Sequence, residues 1–508
     1  MRAKYYAQVI GLLGIVVGVG PGSDFINSQT FTINELTVCS EGCRYQTITE
    51  AIAAAQDGDL IAIGAGTYRE NLKISKNLTV TGESRERVII QPAEPKKPIV
   101  EIESDQTIEV VLQGATVAGS HRIGQDVAGA DGIVVRGKAR LHLSDMRVNR
   151  NEGWGLYIED GAQLSVERTQ IFGNKFDGIY LEDMAKATAT QNEVRGNGGC
   201  GINAFYTQSE DAVQGSENRM FENGADLCGN LSPELRIPLV EQTNRMQIVV
   251  PRDYQSLQEA VDALAPGGTI ILEEGIHRGG VTIYKPLRLA GRDKDKATIS
   301  GSGSCSVLSF GSAISLISGA DATIEDVSVL NSVSTVMAGG TARFSLKRVT
   351  LGLYFVGIDL AASAQGTIED AQLGEKRCEG FSNLPFYGIR ALGSAQLSLT
   401  RSVVKGSIFT GIAIVRRARA VITDSEISKH MQGILIGGKA QVHLSRNRIM
   451  QNGYGVSAVI PECDHPQPEE PFAAMITGED NYIPGPREPE GNFADDVCPD
   501  SLAFLKKP

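Results

Sequence analysis

The chain has 508 residues, enough for two to four ordinary domains or one long repetitive one. Its 57 glycines, 6% aromatics and single Trp favour many tight turns around an interior of small aliphatic side chains, and 21% charged residues with a mean hydropathy of −0.09 exclude disorder and a polytopic membrane protein. A net charge of −12 argues against a nucleic-acid partner, because phosphate binding needs clustered Lys and Arg.

In chain order, Arg2 and Lys4 precede an apolar run over 9–20 and the small residues Gly22 and Ser23, the order of an export signal. The run is short for a membrane anchor, and no Cys follows it to carry a lipid. A signal over 1–23 and a secreted or periplasmic product without a membrane span are therefore expected. Eight cysteines fit an oxidising compartment. Cys39 and Cys43 are close neighbours, and similar Ala-Asp segments lead to Cys228 and Cys498, each with an upstream partner, Cys200 and Cys463. The expected pairs are Cys39–Cys43, Cys200–Cys228 and Cys463–Cys498, leaving Cys305 and Cys378 as a fourth. A zinc site is not expected, since there is no CxxC and no His falls at ligand spacing.

Segment 45–91 aligns without a gap to 254–300, carrying Gly58 onto Gly267, Arg69 onto Arg278 and Lys76 onto Lys285. Thr47 with Glu50, and Ser256 with Glu259, form capping boxes, so each copy opens with a short amphipathic helix. Short β-type runs follow in the first copy at 60–63, 72–74, 78–80 and 88–90. A finer period then appears: Gly132, Gly155, Gly178 and Gly201 recur every 23 residues, and Gly388, Gly411, Gly433 and Gly455 every 22 or 23. Asn151, Asn174 and Asn197 keep the same step, as a stack of side-chain amides would require.

A repeat of this length with several short strands and no internal helix predicts an all-β chain, a right-handed parallel β-helix solenoid in two tandem copies, each with a capping helix. The leucine-rich-repeat pattern is absent. The expected organisation is a first β-helix over 37–231, a linker over 232–247, a second β-helix over 248–460, and an extended, disulfide-pinned Pro-rich tail over 461–508.

These openings and rungs resemble the right-handed parallel β-helix, pectin-lyase-like superfamily over about residues 37–460. The stretches from Tyr45 to Gly82 and from Tyr254 to Gly291 are similar to the start of pectin methylesterases, and the Gly-Ile rungs resemble carbohydrate-binding and sugar-hydrolysis repeats, found also in mannuronan epimerases and in a periplasmic copper-processing accessory protein of nitrous oxide reduction. The resemblance implies the fold but not the activity. The paired aspartates and Arg-x-Trp of pectin methylesterases, the polygalacturonase motif set and the epimerase Tyr-Gly-x-Asp-Pro-His are all missing.

Stacking rungs at a step of 23 places Val134, Tyr157, Tyr180 and Asn203 in one outward column, and Arg136, Glu159, Glu182 and Phe205 in the next, with neighbours about 4.8 Å apart. Rings beside carboxylates and an arginine are what a sugar-binding face uses. The same array admits three other readings: an ordinary solvated sheet face screened by Arg136, a Ca²⁺ site among Glu159, Asp160, Glu182 and Asp183, or a retaining glycosidase pair at Glu159 and Glu182. In the second copy, Asp359, Arg390, Ala413, Leu435 and Ser457 form the comparable column, with Asp359–Arg390 expected as a structural pair. Arg416, Arg417 and Arg419 are read as a solvated turn or as contacts for an acidic polymer. Ca²⁺ is the sole cofactor considered. The missing catalytic sets favour an exported protein that binds polysaccharide or a cell-surface component without catalysis; a glycoside hydrolase or lyase, and a structural envelope protein, are the alternatives.

Overall fold

The computed structural model describes residues 34–121, 129–208, 212–301, 309–374, 386–407, 409–463 and 470–506. The expected signal, Cys305 and Cys378 lie outside them. Residues Glu35–Pro508 belong to one compact unit. Among the described residues no helix is long and apolar enough to cross a membrane.

Two short helices, Ile48–Ala54 and Leu257–Ala263, occupy equivalent places in the duplicated segments. The Thr47 hydroxyl accepts from the Glu50 N–H at 3.2 Å, and that of Ser256 from the Glu259 N–H at 3.4 Å. Each helix would leave its last carbonyls unsatisfied. Lys76 Nζ donates to the carbonyls of Ile52 and Ala55 at 3.2 and 2.8 Å, and Lys285 Nζ to those of Asp262 and Leu264 at 2.9 and 2.7 Å. The lysine shared by both copies thus closes a helix end in each.

From the helices onward the chain coils. In the first half a thirteen-stranded sheet runs from Glu35–Val38 to Ala225–Gly229 beside an eight-stranded sheet, and in the second half a ten-stranded and a fifteen-stranded sheet do the same. The rungs pair in parallel at the expected step: Leu156 lies against Ile133 and Ile179, and Ile412 against Ile389 and Ile434. Inward positions carry Ile, Leu, Val and Ala, giving one long apolar core in each half.

Three columns explain the repeat chemically. A Cβ on Gly132, Gly155 or Gly178 would sit 2.6 to 2.7 Å from the carbonyl oxygen of the next glycine in the column, so the backbone approaches too closely for any side chain. Asn151, Asn174, Asn197 and Asn223 pass amide hydrogen bonds from rung to rung at 2.9 Å, with backbone N–H groups donating to the same amide oxygens at 3.1 Å. In the second half His430 stands in this column: its Nδ1 accepts the Ser407 N–H at 3.0 Å, and burial pulls its pKa down to about 4, keeping that nitrogen a neutral acceptor. The third column is a left-handed turn residue that alternates acid and base. Asp145, Arg168, Asp326, Arg348, Asp370, Arg401, Asp424 and Arg446 all have positive φ and form four ion pairs between neighbouring rungs.

Two expectations need correction. The stretch after Pro461 is not an extended tail: Met475–Glu479 pairs with Gln441–Ser445, Asp495–Cys498 pairs with Tyr454–Ala458, and Leu502 and Leu505 are buried. The chain therefore adds a further rung and covers its end. The start of the expected linker is likewise structured, because Arg236–Ile237 pairs with Asn218–Phe221 and the Arg236 side chain is buried. Its guanidinium donates to Asp226 at 2.8 Å and to both oxygens of Asp262, in the second helix, at 2.8 and 3.0 Å.

The halves also meet face to face. Cys228 and Asn203 from the first half, and Ser315, Met337 and Asp359 from the second, point outward from their coils yet are buried. Ser315 donates to the Leu227 carbonyl at 2.7 Å, and Thr282 accepts the Leu227 N–H at 3.2 Å. Gly224 lies against Gly311 and Gly229 against Gly339, so facing strands run the same way. Two right-handed coils facing each other with like strand direction must advance in opposite directions. Accordingly the earlier rung of Phe205 and Tyr206 meets the later rungs of Asp359 and Arg390.

Gly155→Ala should lower stability by about 1–3 kcal/mol through overpacking, measured as a lower urea midpoint. Arg236→Met leaves two buried carboxylates without a cation and should cost about 3–5 kcal/mol. Arg401→Ala, on a solvent-exposed pair, should leave the urea midpoint nearly unchanged.

Candidate functional site

The outward face of the first half carries a continuous polar ladder. Arg136 donates to Glu101 at 2.9 Å and contacts Glu159. The Tyr157 hydroxyl lies 2.8 Å from both Glu159 and Glu182, and the Tyr180 hydroxyl donates to the other Glu182 oxygen at 2.8 Å. A hydroxyl has one hydrogen, so Tyr157 serves two carboxylates with a single donor. Burial first, and then these carboxylates, push the phenols of Tyr157 and Tyr180 well above their ordinary pKa, so both remain neutral donors.

The rings above this ladder form a platform. Trp154 stacks on Tyr180 with centroids 5.1 Å apart and an 18° interplanar angle, and lies 5.0 Å from Tyr157 and 5.3 Å from Phe176. Trp154 enters through the turn that precedes the Gly155 rung, where its N–H bonds Asp131 at 3.0 Å. Its indole Nε1 donates to Asp177 at 3.0 Å. Asp177 also accepts the Cys200 N–H at 2.5 Å and the Asn203 amide at 3.4 Å. Burial raises its carboxyl to a pKa of about 6, with these donors opposing the shift.

The structure brings together Arg136, Tyr157, Glu159, Tyr180 and Glu182 as columns, with Tyr157 in register with Tyr180 and Val134. Tyr180 and Asn203 are in register and both buried: Tyr180 lies under the Trp154 ring, and Asn203 supports Asp177 and accepts the Phe205 N–H at 3.0 Å, so both lie beneath the face rather than on it. The register then shifts, and Glu182 pairs with Tyr206 instead of Phe205. Phe205 turns into the interface between the halves and Tyr206 turns outward. A step of 23 has no way to show this bulge. The four acids considered for Ca²⁺ are not gathered: Glu159 and Glu182 face the tyrosines, Asp160 accepts the Gly137 N–H at 3.2 Å, and among the described residues no group of three or more His, Cys, Asp or Glu could hold a metal.

Residues missed in the sequence lie at turns and across the interface. Trp154, Phe176 and Asp177 precede the rung glycines, a position that strand alternation does not assign. Tyr206 meets Asp359 at 3.4 Å and contacts Arg390, which pairs with Asp359 and lies over the Tyr206 and Tyr387 rings. Asp359 is fully buried, consistent with the structural role expected for that pair. Phe355, Phe386 and Phe409 continue an aromatic column in the second half with centroids 5.0 to 5.1 Å apart. The three expected disulfides are present, with Cys200–Cys228 joining adjacent rungs at the interface.

A family model described as the right handed beta helix region matches residues 97–218. No curated protein matches the chain in sequence. Among solved structures, the chain is similar to a pectin methylesterase from Erwinia chrysanthemi, with 16% identity and a TM-score of 0.28, covering 56% of this chain and 90% of that one. It is similar also to the A-module of a mannuronan C-5 epimerase of Azotobacter vinelandii, with 13% identity and a TM-score of 0.33 over 85% and 92% of the two chains. A third similar structure is the catalytic unit of an alpha-1,3-glucanase from Streptomyces thermodiastaticus, with 15% identity and a TM-score of 0.27 over 85% and 64%. The parallel rungs and the stacked columns, with the family match over residues 97–218, identify the fold as a right-handed parallel β-helix.

Proposed function

We propose that the protein is an exported glycan-binding β-helix whose ligand lies on the partly open rings of Trp154 and Tyr157, backed by the buried Tyr180 ring. The observation that carries this reading is the stack of rings held in place by the Glu159 and Glu182 ladder. Rings cover the apolar face of a sugar, and carboxylates at their rim accept its hydroxyls. Export is supported by the basic and apolar order of residues 1–23 and by three disulfides. Binding is favoured over catalysis because each carboxylate is already engaged, Glu159 by Arg136 and Tyr157, Glu182 by both tyrosines.

The catalytic alternative draws on one feature of the same ladder. Two carboxylates contacting one hydroxyl are close enough to suit the separation of a retaining pair, about 5 Å. Under that reading Glu159→Gln and Glu182→Gln abolish release of reducing ends or unsaturated products by an otherwise active protein. Under the binding reading the full chain captures a glycan on an array, with or without chelator, without turning it over. Tyr157→Ala should then weaken capture about tenfold, the scale of one lost stacking contact. Self-association with no glycan captured favours the structural-envelope reading instead.

The platform should also respond to pH. Trp154 is the single tryptophan and donates to Asp177, so its fluorescence should titrate with a midpoint near pH 6, and Asp177→Asn should remove that transition. The sign for stability follows from a carboxyl whose folded pKa is raised. Its contribution is present at low pH and is lost as pH rises from about 4 through about 6, read as a falling urea midpoint over that window.

A further inference from the structure

The buried side-chain ladder that ties rung to rung differs between the halves. From Asn151 to Asn223 in the first half, each amide oxygen accepts twice from the rung before, once from a backbone N–H and once from a side-chain amide. In the second half the column runs Ser407, His430, Asn452 and Asn492, and only its last step keeps the double amide pattern. We propose that His430 is an acid-sensitive link in this ladder: a proton on its Nδ1 breaks the connection to Ser407 and loosens the turn beside Phe409, while the asparagine rungs stay closed.

The hydrogen-bond geometry carries the proposal. Both ring nitrogens are committed, Nδ1 accepting the Ser407 N–H at 3.0 Å and Nε2 donating to the Val404 carbonyl at 3.0 Å, which fixes the neutral tautomer. A proton on Nδ1 therefore turns a second donor toward the Ser407 N–H and leaves no lone pair to accept it. An amide oxygen in the same place has no such state. The link is also thinner than its neighbours before any proton arrives. Nδ1 has one lone pair where an amide oxygen has two, and the Ser407 hydroxyl, 2% exposed, has no hydrogen-bond partner among the described residues. The turn beside it lies at the surface: Gly406 borders open space, and Phe409 is 38% exposed with its ring 5.0 Å from that of Phe386.

The groups packed against the imidazole are Val404 and Ser407 of the preceding rung, Gly411 of the neighbouring strand and Asn452 of the following rung, all uncharged. The ionisable side chains nearest along the chain are Lys405, Glu426 and Lys429. Lys429 is exposed, Glu426 accepts the Ser428 hydroxyl at 2.9 Å, and Arg448 on the following rung pairs with Glu490 at 3.1 Å. Among the described residues no carboxylate bonds the ring to hold its charged form. Burial pulls the His430 pKa from 6.5 down to about 4. The folded value is the lower one, so this group's contribution to stability is lost as pH falls from 6.5 through about 4. Asp177, in the first half, acts over a similar window with the opposite sign, so a wild-type midpoint mixes the two and comparison with a His430 variant separates them.

Hydrogen exchange of the full chain, read by mass spectrometry at about pH 7 and about pH 4.5, compares the wild type with His430→Asn. At the acid pH the peptide containing Ser407 should exchange at least about tenfold faster in the wild type than in the variant, since one unit of pKa difference is tenfold in the open population. At neutral pH the two should match, and the peptide containing Asn174 should not distinguish them at either pH. Equal exchange at Ser407 in both proteins at the acid pH, or a difference of the same size at both pH values, overturns the proposal. Should His430→Asn fail to fold, the wild type decides alone. Its Ser407 peptide, corrected for the intrinsic rate, must lose protection between pH 6.5 and about 4 while the Asn452 peptide keeps it, and protection retained at Ser407 overturns the proposal.

Discussion

Two carboxylates of different halves share one buried guanidinium. Arg236 reaches from the last short strand of the first coil to Asp226 in the rung beneath and to Asp262 in the helix that opens the second. Asp262 also accepts the Leu239 N–H, the Gln258 amide and the Tyr284 hydroxyl. Buried ions tolerate removal of a partner poorly, because the remaining charge has no water to replace it. The arrangement therefore pins the point at which the chain stops coiling one way and begins again. The interface beside it, with its backbone contacts at Gly224, Gly229, Gly311 and Gly339, follows from that placement.

Once the turn at Arg236 is set, the faces that meet are no longer equivalent to those that do not. Cys228, Asn203, Ser315, Met337 and Asp359 occupy outward positions and are covered, whereas Tyr157 on an earlier rung of the same column stays partly open. The platform thus lies on rungs preceding the contact, with Tyr206 as the residue that reaches across to Arg390 and Asp359. Asp177 lies under this region because Trp154, Cys200 and Asn203 all direct donors toward it. Its raised pKa has burial as its cause, and the donors moderate it without cancelling it.

The solenoid also separates two surface chemistries. On the first half, Glu101, Arg136, Glu159 and Glu182 bind one another and the tyrosines into an anionic, closed network. On the second half, Gln365, Gln396 and Gln441 stand in register without partners of their own among the described residues. Both follow from one rule of the parallel coil: like positions stack, so whatever side chain the repeat places outward becomes a column.

The coil and three disulfides were legible in the sequence because each depends on spacing. Gly132, Gly155, Gly178 and Gly201 stack since no Cβ fits between their rungs, and Asn151, Asn174 and Asn197 stack since each amide satisfies the next. The column of Tyr157 and Tyr180, with Glu159 and Glu182, was legible for the same reason. A bulge adds one residue without announcing itself, so the exchange of Phe205 for Tyr206 was not. Nor were the burial of Asn203, the approach of Trp154 to Asp177 or the pairing of Tyr206 with Arg390. By itself the sequence determined what repeats, since hydrogen-bond period and side-chain volume are local properties. Only the tertiary structure decided which outward column is covered, which is open and which turn residues join it, because those depend on how two oppositely advancing coils meet around Arg236.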